Sequence, residues 1–273
     1  MITEKEKIKI CYLYQNEKKT IKRIAEILNY STYIISKILK EDNVQIRDKK
    51  VNLNLKENYF ETINTEEKAY LLGLFFTDGS VGGRKHNQIR IELQYSDFSL
   101  VFKIKQILNV NSEIIISQRK NKNGTISTSC LLAFNSSKMA NDLKKYGIIP
   151  NKTYLTKHLP CISKNLLPHF LRGLIDGDGC IYTNKNFNKK YSKYYYKKVL
   201  YFCNYNKSVC EDFREYIKIL LKEKEIPKVS AQKSGYRVTF TKKEQVKKIL
   251  NLLYKNSNIY LQRKYNRAKE LFE

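Results

Sequence analysis

A nine-residue pattern occurs twice in the chain, as Leu71-Leu72-Gly73-Leu74-Phe75-Phe76-Thr77-Asp78-Gly79 and as Leu171-Arg172-Gly173-Leu174-Ile175-Asp176-Gly177-Asp178-Gly179. Each copy ends an apolar, helix-like run with an Asp-Gly pair, and the glycine after the acid predicts the end of the helix. Gly73 and Gly173 remove a side chain from the apolar face, so two such helices can approach closely along it. Packed side by side, they would bring their C-terminal ends together and place Asp78 near Asp178. A single Asp-Gly end would read equally well as an ordinary helix stop. Two copies with one spacing call for a common explanation.

The elements downstream supply it, because the same order follows each copy. In residues 88–95, Ile89, Ile91 and Leu93 alternate with Arg90, Glu92 and Gln94, the pattern of a half-buried strand with a polar outer face. Residues 98–108 read as an amphipathic helix. Residues 114–118 and 127–134 flank Asn123-Gly124, a hairpin dipeptide whose positions tolerate positive φ, and 138–146 read as a closing helix. After Asp178 come a strand around 199–205, a helix over 209–221, a hairpin turning at Ser234-Gly235, and a helix opened by the capping-box lettering Thr241-Lys242-Lys243-Glu244. The expected fold class is therefore α+β: two pseudo-symmetric αββαββα half-domains with the motif helices packed at their interface. Helices must cover one face of each antiparallel sheet, which leaves the other face free to meet a ligand.

Ahead of the repeat, residues 8–30 carry apolar residues at helical spacing, with Ile21, Ile24, Ala25 and Leu28 on one face. Asn29 and Tyr30 form a break. Ser31 or Thr32 can then cap a second helix whose inward face is Ile35, Ile38 and Leu39. Residues 20–40 read as a small all-α helix-turn-helix, which would point Thr32, Tyr33, Ser36, Lys37 and Lys40 at DNA. A helical hairpin that only packs is the competing reading. The expected boundaries are 1–48 for this module, 49–64 for a polar linker, 65–150 for the first half-domain, 151–165 for a linker between halves and 166–273 for the second half-domain.

Charge points to the partner. Lys and Arg number 52 against 26 Asp and Glu, a formal net charge of +26 over 273 residues. Such a balance favours a polyanion, since each phosphate neutralised releases condensed counterions, although codon bias toward Lys, Asn, Ile and Tyr would raise the same numbers. No apolar stretch approaches membrane-spanning length and the first residues lack a signal-peptide layout, so a cytoplasmic protein with no membrane partner is expected. Six cysteines without a Cys-x-x-Cys pair predict reduced, mostly buried thiols in preference to zinc ligands or disulfides. Two paired carboxylates in so basic a chain suggest a metal-dependent cut in a nucleic acid. Hard cations such as Mg²⁺, with Mn²⁺ as the substitute, take carboxylate and phosphate oxygens and can activate water once for each strand of a duplex.

The spacing and lettering of the two motifs resemble the LAGLIDADG homing endonucleases in their single-chain, two-motif form. The resemblance covers residues 64–272 and includes Tyr146-Gly147-Ile148-Ile149-Pro150-Asn151-Lys152-Thr153 and Pro168-His169-Phe170-Leu171-Arg172-Gly173. It implies a monomeric, site-specific double-strand DNA endonuclease of intron or intein mobility, acting on a long pseudo-symmetric target. The last acid of each motif, Asp78 and Asp178, would hold the metal. The first copy departs from the family pattern with Phe76 in place of an acid and Thr77 in place of Ala; the second keeps Asp176 but has Gly177.

The resemblance also implies basic or polar side chains beside the acids. Lys157, with Lys152 as its competitor, and Lys264 are the candidates, with Gln94 to hold a metal-bound water. The specificity surface would comprise Arg84, Lys85, Arg90, Arg119, Lys120, Lys122, Lys185, Lys189, Lys190, Lys193, Lys197, Lys233 and Arg237. Residues 182–201 hold six Lys, six Tyr and no acid, which predicts an extended β-arm lying on DNA. Two other readings stay open: a non-cleaving transcription regulator built from the same core and a helix-turn-helix, and a maturase with intron RNA as partner. Retention of Asp78 and Asp178 argues against the regulator, because a non-cutting protein has no electrostatic reason to face phosphates with two carboxylates.

Overall fold

The computed structural model describes residues 2–17, 19–44, 46, 54–82, 87–121, 123–188 and 190–272. They form two compact units, Met1–Leu53 and Asn54–Glu273. The first unit holds α1 (Glu4–Gln15), α2 (Ile21–Leu28) and α3 (Thr32–Glu41). The run read as helical over 8–30 is therefore two helices, divided where Thr20 accepts the amide of Arg23 and starts α2 afresh. Asn29 ends α2 in the left-handed conformation at φ 55°, and the Ser31 hydroxyl accepts the amide of Ile34 to open α3. Ile10, Leu13, Ile24, Ile35, Ile38 and Leu39 close a small core of their own. Thr32, Tyr33, Lys37 and Lys40 are exposed on α3, and Ser36 is half-buried.

The second unit runs α4 (Glu66–Thr77), β1 (Gly79–Gly82), β2 (Gln88–Gln94), α5 (Phe98–Leu108), β3 (Ile115–Lys120), β4 (Ile126–Asn135) and α6 (Ser137–Lys145). A short α7 (Lys152–Leu155) follows. The order then repeats as α8 (Leu167–Asp178), β5 (Gly179–Asn188), β6 (Lys193–Asn204), α9 (Lys207–Leu221), β7 (Ser230–Gln232), β8 (Gly235–Phe240) and α10 (Lys243–Tyr254), with α11 (Gln262–Phe272) added at the end. Each half is αββαββα, as the sequence predicts. The sheets have the orders β1-β2-β4-β3 and β5-β6-β8-β7 and are antiparallel throughout. Gly79 pairs with Ile91 as Gly179 pairs with Phe202, so both sheets start at the same point after their motif. Alternation buries Val81, Ile89, Ile91, Leu132 and Phe134 in one sheet and Ile181, Leu200, Phe202, Val238 and Phe240 in the other. The interleaved residues, Arg90, Glu92 and Gln94 in the first sheet and Cys203 and Arg237 in the second, lie on the opposite faces.

At the centre α4 lies on α8. A Cβ at Gly73 would stand 2.2 Å from the carbonyl oxygen of Phe170, and one at Gly173 would stand 2.2 Å from that of Tyr70. The two helices thus meet backbone to backbone. Around them a single hydrophobic core spans both halves, with Phe75 and Ile175 among its fully buried members.

Several sequence expectations need correction. Residues 54–64, read as linker, belong to the second unit: Leu55, Tyr59 and Phe60 are buried, and the Phe60 ring lies 5.5 Å from that of Phe75. Three apolar anchors inside a polar stretch gave no periodicity to detect. Residues 49–53 of that linker lie outside the described residues. The segment 151–165 between the halves is likewise packed, with α7 in it and Leu159 and Ile162 buried. The capping box at Thr241 does not form, since α10 starts one residue late with Lys242 at its N-cap and no side-chain cap bond. The thiols are less buried than expected: all six are free, Cys130 and Cys210 are buried, Cys11, Cys180 and Cys203 are half-buried and Cys161 is exposed. None of the described helices is long and apolar enough to cross a membrane.

The helix contact makes a direct prediction. Gly73→Ala forces a methyl against the Phe170 carbonyl and should lower stability by about 2 kcal/mol or more, read as the urea midpoint of unfolding. An unchanged midpoint would mean that the helices do not meet at this glycine.

Candidate active site at the ends of the paired helices

Asp78 caps α4 and Asp178 is the last residue of α8, so both carboxylates sit at the negative ends of helix dipoles. They are close to each other as well. A Cβ on Gly177, the residue before Asp178, would fall 2.5 Å from Oδ2 of Asp78, so only glycine leaves room for that carboxylate. Burial pushes the Asp178 carboxyl up to about 6, and the charge of Asp78 adds to the shift against the pull of Lys152 and Lys264. Burial raises Asp78 too, opposed by the Thr77 hydroxyl 3.2 Å from its Oδ2 and by Lys264, Lys152 and Arg263.

Two lysines serve the two helix ends in the same manner. Lys152 Nζ donates to the carbonyls of Thr77 at 2.5 Å and Phe75 at 3.4 Å. Lys264 Nζ lies 2.6–3.0 Å from the carbonyls of Ile175, Asp176, Gly177 and Gly179. Phe75 and Thr77 occupy the motif positions of Ile175 and Gly177, so Lys152 and Lys264 are counterparts across the pseudo-symmetry. Each places a cation on the carbonyls that carry the negative end of a helix dipole. Burial lowers Lys152 to about 8 and also lowers Lys264, and Asp78 and Asp178 counteract both shifts.

The structure does not bring Lys157 to this group; it is exposed on the segment after α7. The competitor, Lys152, takes the position instead. Gln94 is exposed at the end of β2 and lines a cleft of about 390 Å³ with Asp78, Glu92 and Arg263. A second cleft of about 390 Å³ holds Asp178, Lys152, Cys203 and Arg237. The paired acids thus open into two spaces, one beside each sheet.

Sequence reasoning assigned no role to Asp176 or Arg172. Asp176 is buried and accepts hydrogen bonds from Tyr70 Oη at 2.8 Å, Tyr254 Oη at 2.6 Å and the amide of Leu261 at 2.7 Å. Burial and the charge of Asp176 push both phenols far above their ordinary range, so they remain protonated donors. Buried Arg172 donates to the carbonyls of Leu253 at 2.7 Å and Ile259 at 3.0 Å. These two residues tie α4, α8, α10 and the approach to α11 together. The polar residue on an otherwise apolar helix face was the available signal.

Strand register sorts the basic residues. Arg90, Arg119, Lys193, Lys197 and Arg237 alternate onto the faces turned away from the core, and Lys120 and Lys185 onto the opposite ones. Arg237 stacks on the Tyr201 ring at 4.3 Å. Lys190 and Lys233 are exposed in turns. Arg84, Lys85, Lys122 and Lys189 lie outside the described residues. The tyrosine-rich stretch is the β5–β6 hairpin, paired from Gly179–Phe202 out to Asn188–Lys193.

A family model described as a LAGLIDADG-like domain matches residues 65–147 and 166–254, more than half of the chain and both copies of the motif. The chain belongs to this family. A search of curated proteins gives no match. Among solved structures, the homing endonuclease I-WcaI bound to its DNA recognition sequence is 14% identical, covering 86% of this chain and 97% of that one at a TM-score of 0.53. The LAGLIDADG homing endonuclease I-GzeII in complex with a DNA target is 13% identical over 77% and 89% of the two chains, at a TM-score of 0.51. At these identities the likeness establishes the fold.

Asp176 and Asp178 should respond differently to mutation. Asp176→Ala strands two phenols and an amide, and should cost roughly 3 kcal/mol of stability. In metal-free buffer Asp178→Asn should instead stabilise. An acid raised in the folded state is penalised only where it ionises, so the gain should be absent near pH 4 and complete near pH 7. Denaturant unfolding across pH checks both; a gain that shrinks as pH rises would contradict the assigned burial.

Proposed function

We propose that this chain is a site-specific endonuclease that cuts both strands of duplex DNA with a divalent cation, Mg²⁺ or Mn²⁺, held by Asp78 and Asp178. One observation carries the reading: two half-buried carboxylates stand close together at the negative ends of adjacent helices, where each is destabilised. Asp176, two residues before Asp178, shows what a structural acid looks like here, with every contact a donor. Among the described residues, Asp78 and Asp178 have no such set of donors. Their hard oxygen donors fit a cation that takes carboxylate and phosphate together. When bound, it would neutralise the repelling pair and supply Lewis-acid activation of phosphate and water.

The chain's own groups have distinct parts in this reading. Lys152 spends two contacts on carbonyls, and an ammonium has three donors. Its remaining donor can meet negative charge growing on the scissile phosphate. Lys264, buried among four carbonyls, is a positioning residue that fixes the end of α8. Gln94, which lines the Asp78 cleft, would orient a water there. The outer sheet faces and the β5–β6 arm would lie along the duplex, and α3 of the first unit would extend the contact in a groove through Thr32, Tyr33, Ser36, Lys37 and Lys40.

In vitro selection of cut duplexes from a randomised library tests this. Wild type with Mg²⁺ should enrich one long site; EDTA, Asp78→Asn or Asp178→Asn should abolish double-strand cutting while binding persists. Full activity in either mutant would remove the two-acid centre, and binding without cutting by wild type would make the protein a regulator. Removing residues 1–53 should weaken affinity yet leave cutting intact at saturating protein. Loss of all cutting there would contradict that division of labour.

A further inference from the structure

Among the described residues, Glu92 is the only acid in any strand of the two sheets. It pairs with Leu131 of β4, between Arg90 and Gln94 on the face turned away from the core. A duplex lying along that face would repel it. Its internal partners do not offset the repulsion. The Ser129 hydroxyl donates to Oε1 at 2.7 Å, and Arg119 NH2 lies 3.7 Å from the same oxygen with its side chain 72% exposed, a weak pairing. Both contacts fall on Oε1. Ser129 therefore fixes the side chain while Oε2 keeps its capacity to accept. The pairing of Gly79 with Ile91 and of Gly179 with Phe202 makes Cys203 the counterpart of Glu92, so the acid occurs in one half only.

We propose that Glu92 determines specificity by accepting a hydrogen bond from the N4 amino group of a cytosine in the major groove, in the part of the target read by the first sheet. The inference rests on the endonuclease reading above. Cytosine offers a carboxylate its amino donor, whereas guanine and thymine present acceptors that repel it, and adenine sets an acceptor beside its donor. A carboxylate already held by Ser129 loses little freedom on binding, which favours its use in recognition. The second half, with Cys203 at the same place, lacks this discrimination, and the target is unequal at these two positions.

Glu92 also lines the cleft of Asp78, so the test must separate base reading from a part in the metal centre. Wild type, Glu92→Gln and Ser129→Ala would be selected for binding to a randomised duplex library in EDTA, and cut rates would then be measured with Mg²⁺ on the enriched site and its single-base variants. Wild type should require cytosine at one position. Glu92→Gln should lose that preference alone, by about tenfold or more, and accept adenine, whose N6 and N7 suit an amide. Ser129→Ala should weaken preference at the same position. Identical preferences in wild type and Glu92→Gln would overturn the inference, as would slower cutting of every sequence with unchanged binding preference. A wild type that enriches no site would overturn the endonuclease reading itself and this inference with it.

Discussion

The contact of α4 with α8 at backbone distance is the constraint on which everything else in the second unit depends. Gly73 and Gly173 allow it, and neither position admits a methyl without displacing a carbonyl of the facing helix. Because the helices meet there, their C-terminal ends are neighbours, and whatever residue ends one helix is held against the end of the other. The sheets start directly from those ends, at Gly79 and Gly179. The position of each outer face relative to the acids is thus set by a helix pair whose geometry tolerates almost no change.

That geometry concentrates charge where the fold alone would avoid it. The C-terminal ends of two helices, two carboxylates and a shared burial all oppose one another, and Lys152 and Lys264 relieve the tension only in part, since both are themselves lowered by burial. Asp176, two residues before Asp178, is buried more completely and yet well satisfied. The difference lies in what surrounds each acid: phenols and an amide aimed at one, open clefts beside the other. A carboxylate left destabilised in an accessible cleft is in the state that makes binding of a cation favourable.

The repeat, the order of elements and the pairing of Asp78 with Asp178 were legible in the sequence because they follow from local periodicity and from glycines whose only service is closeness. Helix α5 was delimited to the residue, and Ser31 was one of the two caps the sequence offered for α3. What escaped depended on partners distant in sequence. Lys152 and Lys264 do the same work, but Pro150-Asn151-Lys152 and Gln262-Arg263-Lys264 share only the lysine, so no alignment of letters relates them, and Lys157 stood as plausibly. The burial of Leu55, Tyr59 and Phe60 was hidden by polar neighbours. Asp176 read as a family letter, and only the phenols of Tyr70 and Tyr254, 106 and 78 positions away in the chain, reveal its task.

Alternation in the strands divides each sheet between two unrelated demands. One set of residues, Ile89, Ile91, Leu132 and Phe134 among them, is committed to the core, and the interleaved set is not. Substitutions in the second set leave packing untouched. The two halves accordingly differ there, with Glu92 in one and Cys203 in the other, while the residues beneath are apolar in both. A duplicated protein built in this way can acquire a new ligand preference in one half at a time, one residue at a time, and stay folded at every intermediate step.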